Sequence, residues 1–337
     1  MPVDQTIEKM TQPGLTRGGS NRKSAPRSIV VVGADGFVGG GLAKGLSTTK
    51  ITYGQPRDDE IHISQAAPLL RNADVIINTG GFRIQPGCGY ADYQRSHEGA
   101  TAAIIAHIRP GALLIQISSA SVLGKSTTRS LGPRATPAPE TFPSPSYAMA
   151  KFEADRFLVR AAAERDFRVV FLRPATVYSK DGAGIIGTLI KLAKRGIILR
   201  LYPHEARQHF CCMRLLVDVV GRVIEHDVPH LTGLLVADPY AITNRELEAI
   251  IRLYTPTSKL VLPIPANWLS TLLTRTVRSK NPKLDLRTWG EIFGVLNLDT
   301  VYDPTETYTL LGIDPAQYSL ERTLQPVIKE AVRPESL

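Results

Sequence analysis

Cysteine is scarce in this chain: Cys88 and the adjacent Cys211 and Cys212 are the only three in 337 residues. An odd count with no C-x-x-C spacing supports neither a disulfide framework nor a zinc or other metal site. All three are read as reduced thiols packed as small hydrophobes. No apolar run approaches the roughly 20 residues that a membrane span needs, so no integral membrane segment is expected. The first residues lack the apolar core of a secretory signal, and the expected location is cytoplasmic. Basic residues interleaved with aromatics are also missing, which removes nucleic acid as an expected partner despite a net charge of +9. No internal repeat is evident. What is present is an ordinary globular composition, 43% hydrophobic and 21% charged, long enough for one large α/β domain or two intimately joined ones.

Part of the positive charge sits at the start, where Lys9, Arg17, Arg22, Lys23 and Arg27 face only Asp4 and Glu8. Residues 1–26 are rich in Gly, Ser, Pro and Thr without a sustained apolar period, and read as a flexible extension. Ser28-Ile29-Val30-Val31-Val32 then forms a short β-branched run without alternation, typical of a strand buried on both faces. Further apolar runs fall at Ile51–Tyr53, Ile61–Ile63, Val75–Asn78, Leu113–Ile117 and Val169–Leu172. Helical stretches lie between them at Phe37–Leu46, Pro68–Asn72, Tyr90–His107 and Ser146–Arg165. This alternation predicts an α/β fold with a Rossmann-type, doubly wound parallel sheet.

After Arg173-Pro174 the rhythm is less regular. Helices are expected at Ile185–Arg195 and Leu215–His226, with strands at Ile198–Tyr202, His209–Met213 and Gly233–Ala237. Thr243 with Glu246 makes a capping box for the next helix. Leu260–Pro265, the amphipathic Trp268–Val277 and a mostly helical tail to Val332 follow. The expected division is a dinucleotide-binding domain over 27–178, to which 207–240 partly returns, and a smaller mixed α/β substrate domain from 179–206 and 241–337.

Gly33-Ala34-Asp35-Gly36-Phe37-Val38-Gly39 follows the first strand directly and opens the first helix. Glycines there allow a tight turn and close backbone approach to a pyrophosphate, which the helix N-terminus favours. Gly40 and Gly41 extend the run as packing residues. The acid expected about 20 residues on, at the end of the second strand, is missing. Tyr53-Gly54-Gln55-Pro56-Arg57 stands there instead, and Arg57 suits a 2′-phosphate, so NAD and NADP both stay open.

Tyr147 and Lys151 place a phenol and an ammonium four residues apart, on one face if the segment is helical. A nearby cation lowers a phenol pKa and fits it for proton transfer on an alcohol or carbonyl oxygen. With 11 Tyr and 13 Lys in the chain, chance alone supplies about 0.4 such pairs, so context decides.

With both motifs in place the chain, from about Ser28 to Val327, resembles the extended short-chain dehydrogenase/reductases, and among them the NAD-dependent sugar-nucleotide epimerase/dehydratase family. Val75-Ile76-Ile77-Asn78-Thr79-Gly80-Gly81 is similar to the family's fourth strand, whose small residues pass beside the cofactor. Ile117-Ser118-Ser119-Ala120-Ser121-Val122-Leu123-Gly124 resembles its serine segment, and Pro145 to Lys151 its Tyr-x-x-x-Lys segment. Leu172-Arg173-Pro174-Ala175-Thr176-Val177-Tyr178 resembles the stretch leading out of the sheet toward nicotinamide and substrate. Two later landmarks match at Ile242–Leu247 and Leu311–Pro315.

The resemblance implies Ser119, Tyr147 and Lys151 as catalytic residues. Tyr147 is the general acid/base, Lys151 lowers its pKa and holds the nicotinamide ribose, and Ser119 holds the reacting oxygen. It implies cofactor contacts at Gly33, Gly36, Phe37, Val38, Gly39, Arg57, Thr79, Gly80, Gly81, Tyr147, Lys151, Arg173 and Pro174, a nucleotide-sugar substrate, and a homodimer built on the two long helices. Several positions depart from the pattern. Ser96 replaces an Asn, Leu123 a Tyr, Leu215 an Asp, and Gln208-His209-Phe210 stands where Arg-x-Phe is usual, with Arg207 displaced by one. These changes leave the hydride machinery intact and bear on the sugar-nucleotide contacts; His209 is read either as a diphosphate contact or as a packing residue.

Ala120 and Ser121 after Ser119 supply no acid for water elimination, which disfavours a 4,6-dehydratase and leaves a 4-epimerase or 4-ketoreductase. The alternatives are a reductase of a lipophilic, hydroxysteroid-like alcohol or ketone, and a non-catalytic NAD(P)-binding protein.

Overall fold

The computed structural model describes residues 27–332 apart from 126–129, 181–183, 256–259, 277–278, 282–284 and 298. The N-terminal extension therefore lies outside the described residues. The first half runs β1 (Ile29–Val32), α1 (Phe37–Leu46), β2 (Thr49–Thr52), β3 (Glu60–His62), α2 (Ala67–Asn72), β4 (Val75–Asn78), α3 (Tyr90–Ile105), β5 (Leu113–Ile117), α4 (Pro145–Glu164) and β6 (Arg168–Pro174). The second runs β7 (Thr176–Tyr178), α5 (Gly184–Lys194), β8 (Ile197–Tyr202), β9 (Arg207–Cys212), α6 (Met213–Glu225), β10 (Thr232–Val236), β11 (Ala241–Thr243), α7 (Asn244–Tyr254), β12 (Leu260–Pro265), α8 (Ala266–Thr274), α9 (Leu286–Asn297), α10 (Thr305–Leu311) and α11 (Leu324–Val332).

Seven strands form one sheet in the order β10-β6-β5-β4-β1-β2-β3, and every pairing in it is parallel. Burial on both faces explains the unbroken apolar runs. Val31, Ile77, Ile115, Val170 and Leu172 face one core, shared with Leu42 of α1 and Leu216 of α6. Val30, Ile76, Leu114, Val169 and Phe171 face the other, shared with Ile104 of α3 and Leu158 of α4. The chain leaves β1 toward β2 and β3, then returns to place β4 on the other flank of β1. That reversal puts the switch point of the sheet between β1 and β4, where open α/β sheets bind ligands.

The remaining strands form a three-stranded sheet, β11-β9-β7, and a two-stranded one, β12-β8. The three-residue β7 and β11 have no sequence signal of their own, because each is defined by pairing with β9. The helix expected at Trp268–Val277 is described instead over Ala266–Thr274. Thr243 and Glu246 form the expected capping box, with the Thr243 Oγ accepting from Glu246 N at 3.1 Å. Cys211 and Cys212 are buried and free, and the Cys212 Sγ accepts the N–H of Leu215 at the start of α6.

The glycine turn is fixed by sterics. A Cβ on Gly39 would lie 2.1 Å from the Gly33 carbonyl oxygen, whereas one on Gly99, exposed in α3, meets nothing within 4 Å. Gly41 packs on Met213 of α6, where a Cβ would come within 2.5 Å of its Sδ. Gly39→Ala should lower unfolding free energy by about 1–3 kcal/mol through overpacking. Gly99→Ala should raise it by about 0.5–1 kcal/mol, through the smaller entropy of the unfolded chain. Urea denaturation of the two variants checks both signs.

Candidate active site

The site assembles at the carboxyl ends of β1, β4 and β5. Gly33 leaves β1 with φ +84°, and Gly33 and Ala34 both donate their N–H to the Ile51 carbonyl, at 2.9 and 3.0 Å. Gly36 donates to the Gly33 carbonyl at 3.0 Å and precedes α1 without a side-chain cap. The first-turn N–H groups of Phe37, Val38 and Gly39 are thus the donors left to meet an anion. Thr79, leaving β4, donates its hydroxyl to the carbonyls of Val32 and Gly33 at 2.7 and 3.1 Å and clamps the two strand ends together. The turn therefore fits a dinucleotide pyrophosphate: tight, backbone-lined and ending on an uncapped helix.

An acid does stand beside the end of β2, though it comes from the turn itself. The Asp35 carboxylate accepts the N–H groups of Tyr53 and Gly54 at 3.3 and 3.1 Å. The Tyr53 ring reaches across to Gly80, where a Cβ would lie 3.0 Å from its hydroxyl. Burial, with Asp35 beside it, pushes the Tyr53 phenol up. Arg57 is exposed on the following loop, and its N–H is bonded to Glu60.

β5 ends at Ile117, so Ser118 and Ser119 start the crossing to α4. Ser119 Oγ accepts from the N–H and hydroxyl of Ser121, at 3.1 and 2.8 Å, and its own hydroxyl bonds to Tyr147. Pro145 opens α4 and puts Tyr147 in its first turn, with Lys151 one turn on. The Tyr147 ring meets Tyr93 and His97 of α3 edge-on, with centroids 5.7 and 5.8 Å away. Lys151 is 5% exposed and donates from Nζ to the Ile117 carbonyl at 3.1 Å.

The electrostatics overturn one expectation. Lys151 does not lower the Tyr147 phenol in this state; burial pushes the phenol up to about 12, opposed by its hydrogen bond with Ser119. Burial also pulls the Lys151 ammonium down to about 8, and Asp155 holds it from falling further. The i, i+4 spacing places the two residues on one helix face, but the dry surroundings penalise the charged form of each.

Asp155, one turn beyond Lys151, is the residue that sequence reasoning passed over. It is 3% exposed and accepts the Ser118 hydroxyl at 2.6 Å. Burial raises it to about 6 against the pull of Arg173, Ser118 and Lys151. Arg173, expected at the cofactor, is buried behind the site, beside Asp155, and donates to the Pro133 carbonyl at 3.4 Å. Pro174 is buried next to it at the end of β6.

The spacing Tyr147, Lys151, Asp155 was the available signal, since i, i+4 and i+8 share one helix face. His97 was also missed as a wall of the site. It is buried, and burial with Lys151 close by drives its imidazole well below the ordinary range, so it is neutral at pH 7. Gly81, at φ +118°, allows this approach, because a Cβ there would fall 1.8 Å from the His97 Nδ1.

The departures from the family pattern have local explanations. Ser96 accepts the Phe82 N–H at 2.9 Å and so ties α3 to the loop after β4. His209 is a packing residue, 6% exposed, whose Nδ1 accepts the Tyr302 N–H at 3.0 Å. It borders a hollow of about 650 Å³ shared with Ser130, Tyr302, Asp303 and Tyr308, and among the described residues no Arg or Lys lines it. Arg207 is exposed and turned toward Asp299.

The chain matches the model of the NAD dependent epimerase/dehydratase family over residues 29–231. It is 25% identical over 266 residues to the UDP-glucose 4-epimerase of Vibrio cholerae, covering 72% of this chain and 80% of that protein. Its fold is shared with MoeE5 in complex with UDP-glucuronic acid and NAD, at a TM-score of 0.70 and 18% identity over 90% of this chain and 98% of that one. It is shared with the UDP-glucuronic acid 4-epimerase of Bacillus cereus in complex with UDP-glucuronic acid and NAD, at 0.68 and 16%, over 90% and 97%. RMD from Pseudomonas aeruginosa, complexed with NADPH, gives 0.67 and 14%, over 90% and 99%. By the extent of the family match and the motifs that carry it, this chain belongs to the NAD dependent epimerase/dehydratase family.

Proposed function

We propose that the protein oxidises and reduces a hydroxyl or keto carbon of a nucleotide-activated sugar, as a 4-epimerase or 4-ketoreductase and not as a 4,6-dehydratase. The observation that carries this reading is the joined Ser119–Tyr147 hydroxyl pair above the buried Lys151 ammonium. Tyr147, neutral at pH 7, gives its proton to the oxygen of a reacting ketone and takes it back from the alcohol. Ser119 holds the same oxygen. Lys151 supplies the positive potential that eases the phenolate formed in passing. The nicotinamide, when bound, supplies the hydride chemistry. Residues 120 and 121 argue against dehydration: Ala120 has no titratable group, and the buried Ser121 hydroxyl is engaged with Ser119.

The pyrophosphate is assigned to Phe37, Val38 and Gly39, with Thr79, Gly80 and Gly81 flanking the cofactor. Asp35 is assigned to the adenosine ribose. Each of its oxygens takes one backbone N–H, leaving lone pairs for ribose hydroxyls. A 2′-phosphate would bring about −1.5 to −2 charges against that carboxylate, so NAD is the preferred cofactor. A second reading changes the substrate to a lipophilic alcohol or ketone, and the hollow beside His209, lined by no Arg or Lys among the described residues, favours it.

Tyr147→Phe should abolish turnover on a panel of nucleotide sugars and hydroxysteroids while leaving cofactor binding within about two-fold of the parent. Full activity in that variant removes Tyr147 from the mechanism. In thermal-shift titrations NAD should bind at least about ten-fold tighter than NADP, and Asp35→Ser should narrow that gap. Equal affinity in the parent chain contradicts the ribose assignment.

The alkaline limb of kcat/KM should report loss of the Lys151 proton near pH 8. The Asp155 carboxylate holds that value up, so Asp155→Asn should move the limb to lower pH. An unmoved limb with reduced kcat would leave Asp155 a purely structural group.

A further inference from the structure

The chain has two tryptophans, and both stand exposed on one helical hairpin. Trp268 on α8 is 65% exposed and Trp289 on α9 is 43% exposed. Leu272 and Leu286 on the same helices are 48% and 45% exposed, and Leu260 and Leu262 on the adjoining β12 are exposed too. The hairpin is held by its inner face. Gly290 and Gly294 of α9 abut Leu273 and Ser270 of α8 so closely that a Cβ would come within 2.8 and 2.9 Å. Trp268, Leu272 and Arg275, spaced by four and three residues, share a different stripe that points away from this contact.

Charge on the hairpin has one sign at the surface. Between Leu260 and Asn297 the sequence has five Lys or Arg and only two acids, Asp285 and Glu291. Both acids are buried, at 0% and 3% exposure. Asp285 accepts the Gly87 N–H at 2.8 Å and Glu291 accepts the Ser144 hydroxyl at 2.9 Å. Arg275, Lys280 and Arg287 are exposed.

We propose that the α8–α9 hairpin docks on the surface of an anionic lipid bilayer. Indole and leucine side chains framed by Arg and Lys, with no acid at the surface, are what a headgroup–acyl boundary accepts. Anionic lipid attracts each such cation. A second copy of the chain fits less well, since a two-fold contact would bring two copies of the same cationic face together, with Asp285 and Glu291 buried and engaged inside each. No helix among the described residues is long and apolar enough to cross a membrane, so the contact is one of lying on the surface. Through Glu291 and Ser144, three residues before Tyr147, the docked hairpin also braces the wall of the active site.

The test uses the full chain with vesicles of phosphatidylcholine alone or mixed with phosphatidylglycerol at about seven to three, read by co-sedimentation and tryptophan emission. Because both tryptophans lie in the hairpin, their emission reports on it alone. With anionic vesicles the emission should shift to the blue and resist acrylamide quenching, and salt should weaken binding. Trp268→Ser, with Trp289 left to report, should reduce partitioning by on the order of ten-fold. Arg275→Glu with Arg287→Glu should do so on anionic vesicles without exposing further apolar surface.

Sedimentation with unchanged emission would assign the binding to the basic N-terminal residues and overturn the proposal. Quenching protection without lipid, together with a concentration-dependent mass, would make the face a self-association surface and overturn it equally. So would an absence of binding.

Discussion

Burial of one ammonium group organises this site. Lys151 sits almost wholly inside the protein, where an unpaired cation carries a penalty of several kcal/mol. It is held by the Ile117 carbonyl and by the field of Asp155. Asp155 in turn depends on Ser118 and on the buried Arg173 from β6. The Ser118 N–H closes the set by donating to the Leu172 carbonyl at 2.8 Å. A helix and two strand ends are thereby locked in one register, and Tyr147 can stand in only one place, against Ser119, Tyr93 and His97. The same dryness raises the phenol and lowers the amine, so at pH 7 Tyr147 is neutral while Lys151, brought down to about 8, still carries its proton.

The sequence was readable where local chemistry decides structure. Val75–Asn78, Leu113–Ile117 and Phe37–Leu46 fall where the apolar runs place them, because strands covered on both faces cannot alternate. Ser119, Tyr147 and Lys151 converge as the motifs imply. What stayed hidden depends on distant partners. β7 and β11 exist only through β9. Asp155 is visible as a spacing, yet its burial is set by Arg173 on another strand. Asp35 was passed over because an acid was sought along β2, whereas the fold brings one in from the neighbouring turn. The direction of the Tyr147 shift was misjudged for a related reason: spacing reveals a neighbouring charge but not the loss of water around it.

The sheet fixes the glycine turn, the serine segment and the base of α4, and its switch point leaves a crevice for a dinucleotide between β1 and β4. The C-terminal elements expose the apolar face of Trp268, Leu272, Leu286 and Trp289 on α8 and α9.

The most direct test of the account is a single turnover. The purified chain, loaded with NAD, is mixed with UDP-linked hexoses and hexuronic acids, and the near-ultraviolet absorbance of reduced nicotinamide is followed. The account predicts a transient reduced cofactor with at least one nucleotide sugar. Tight NAD binding with no reduction by any member of the panel, at any pH from neutral to alkaline, would contradict it.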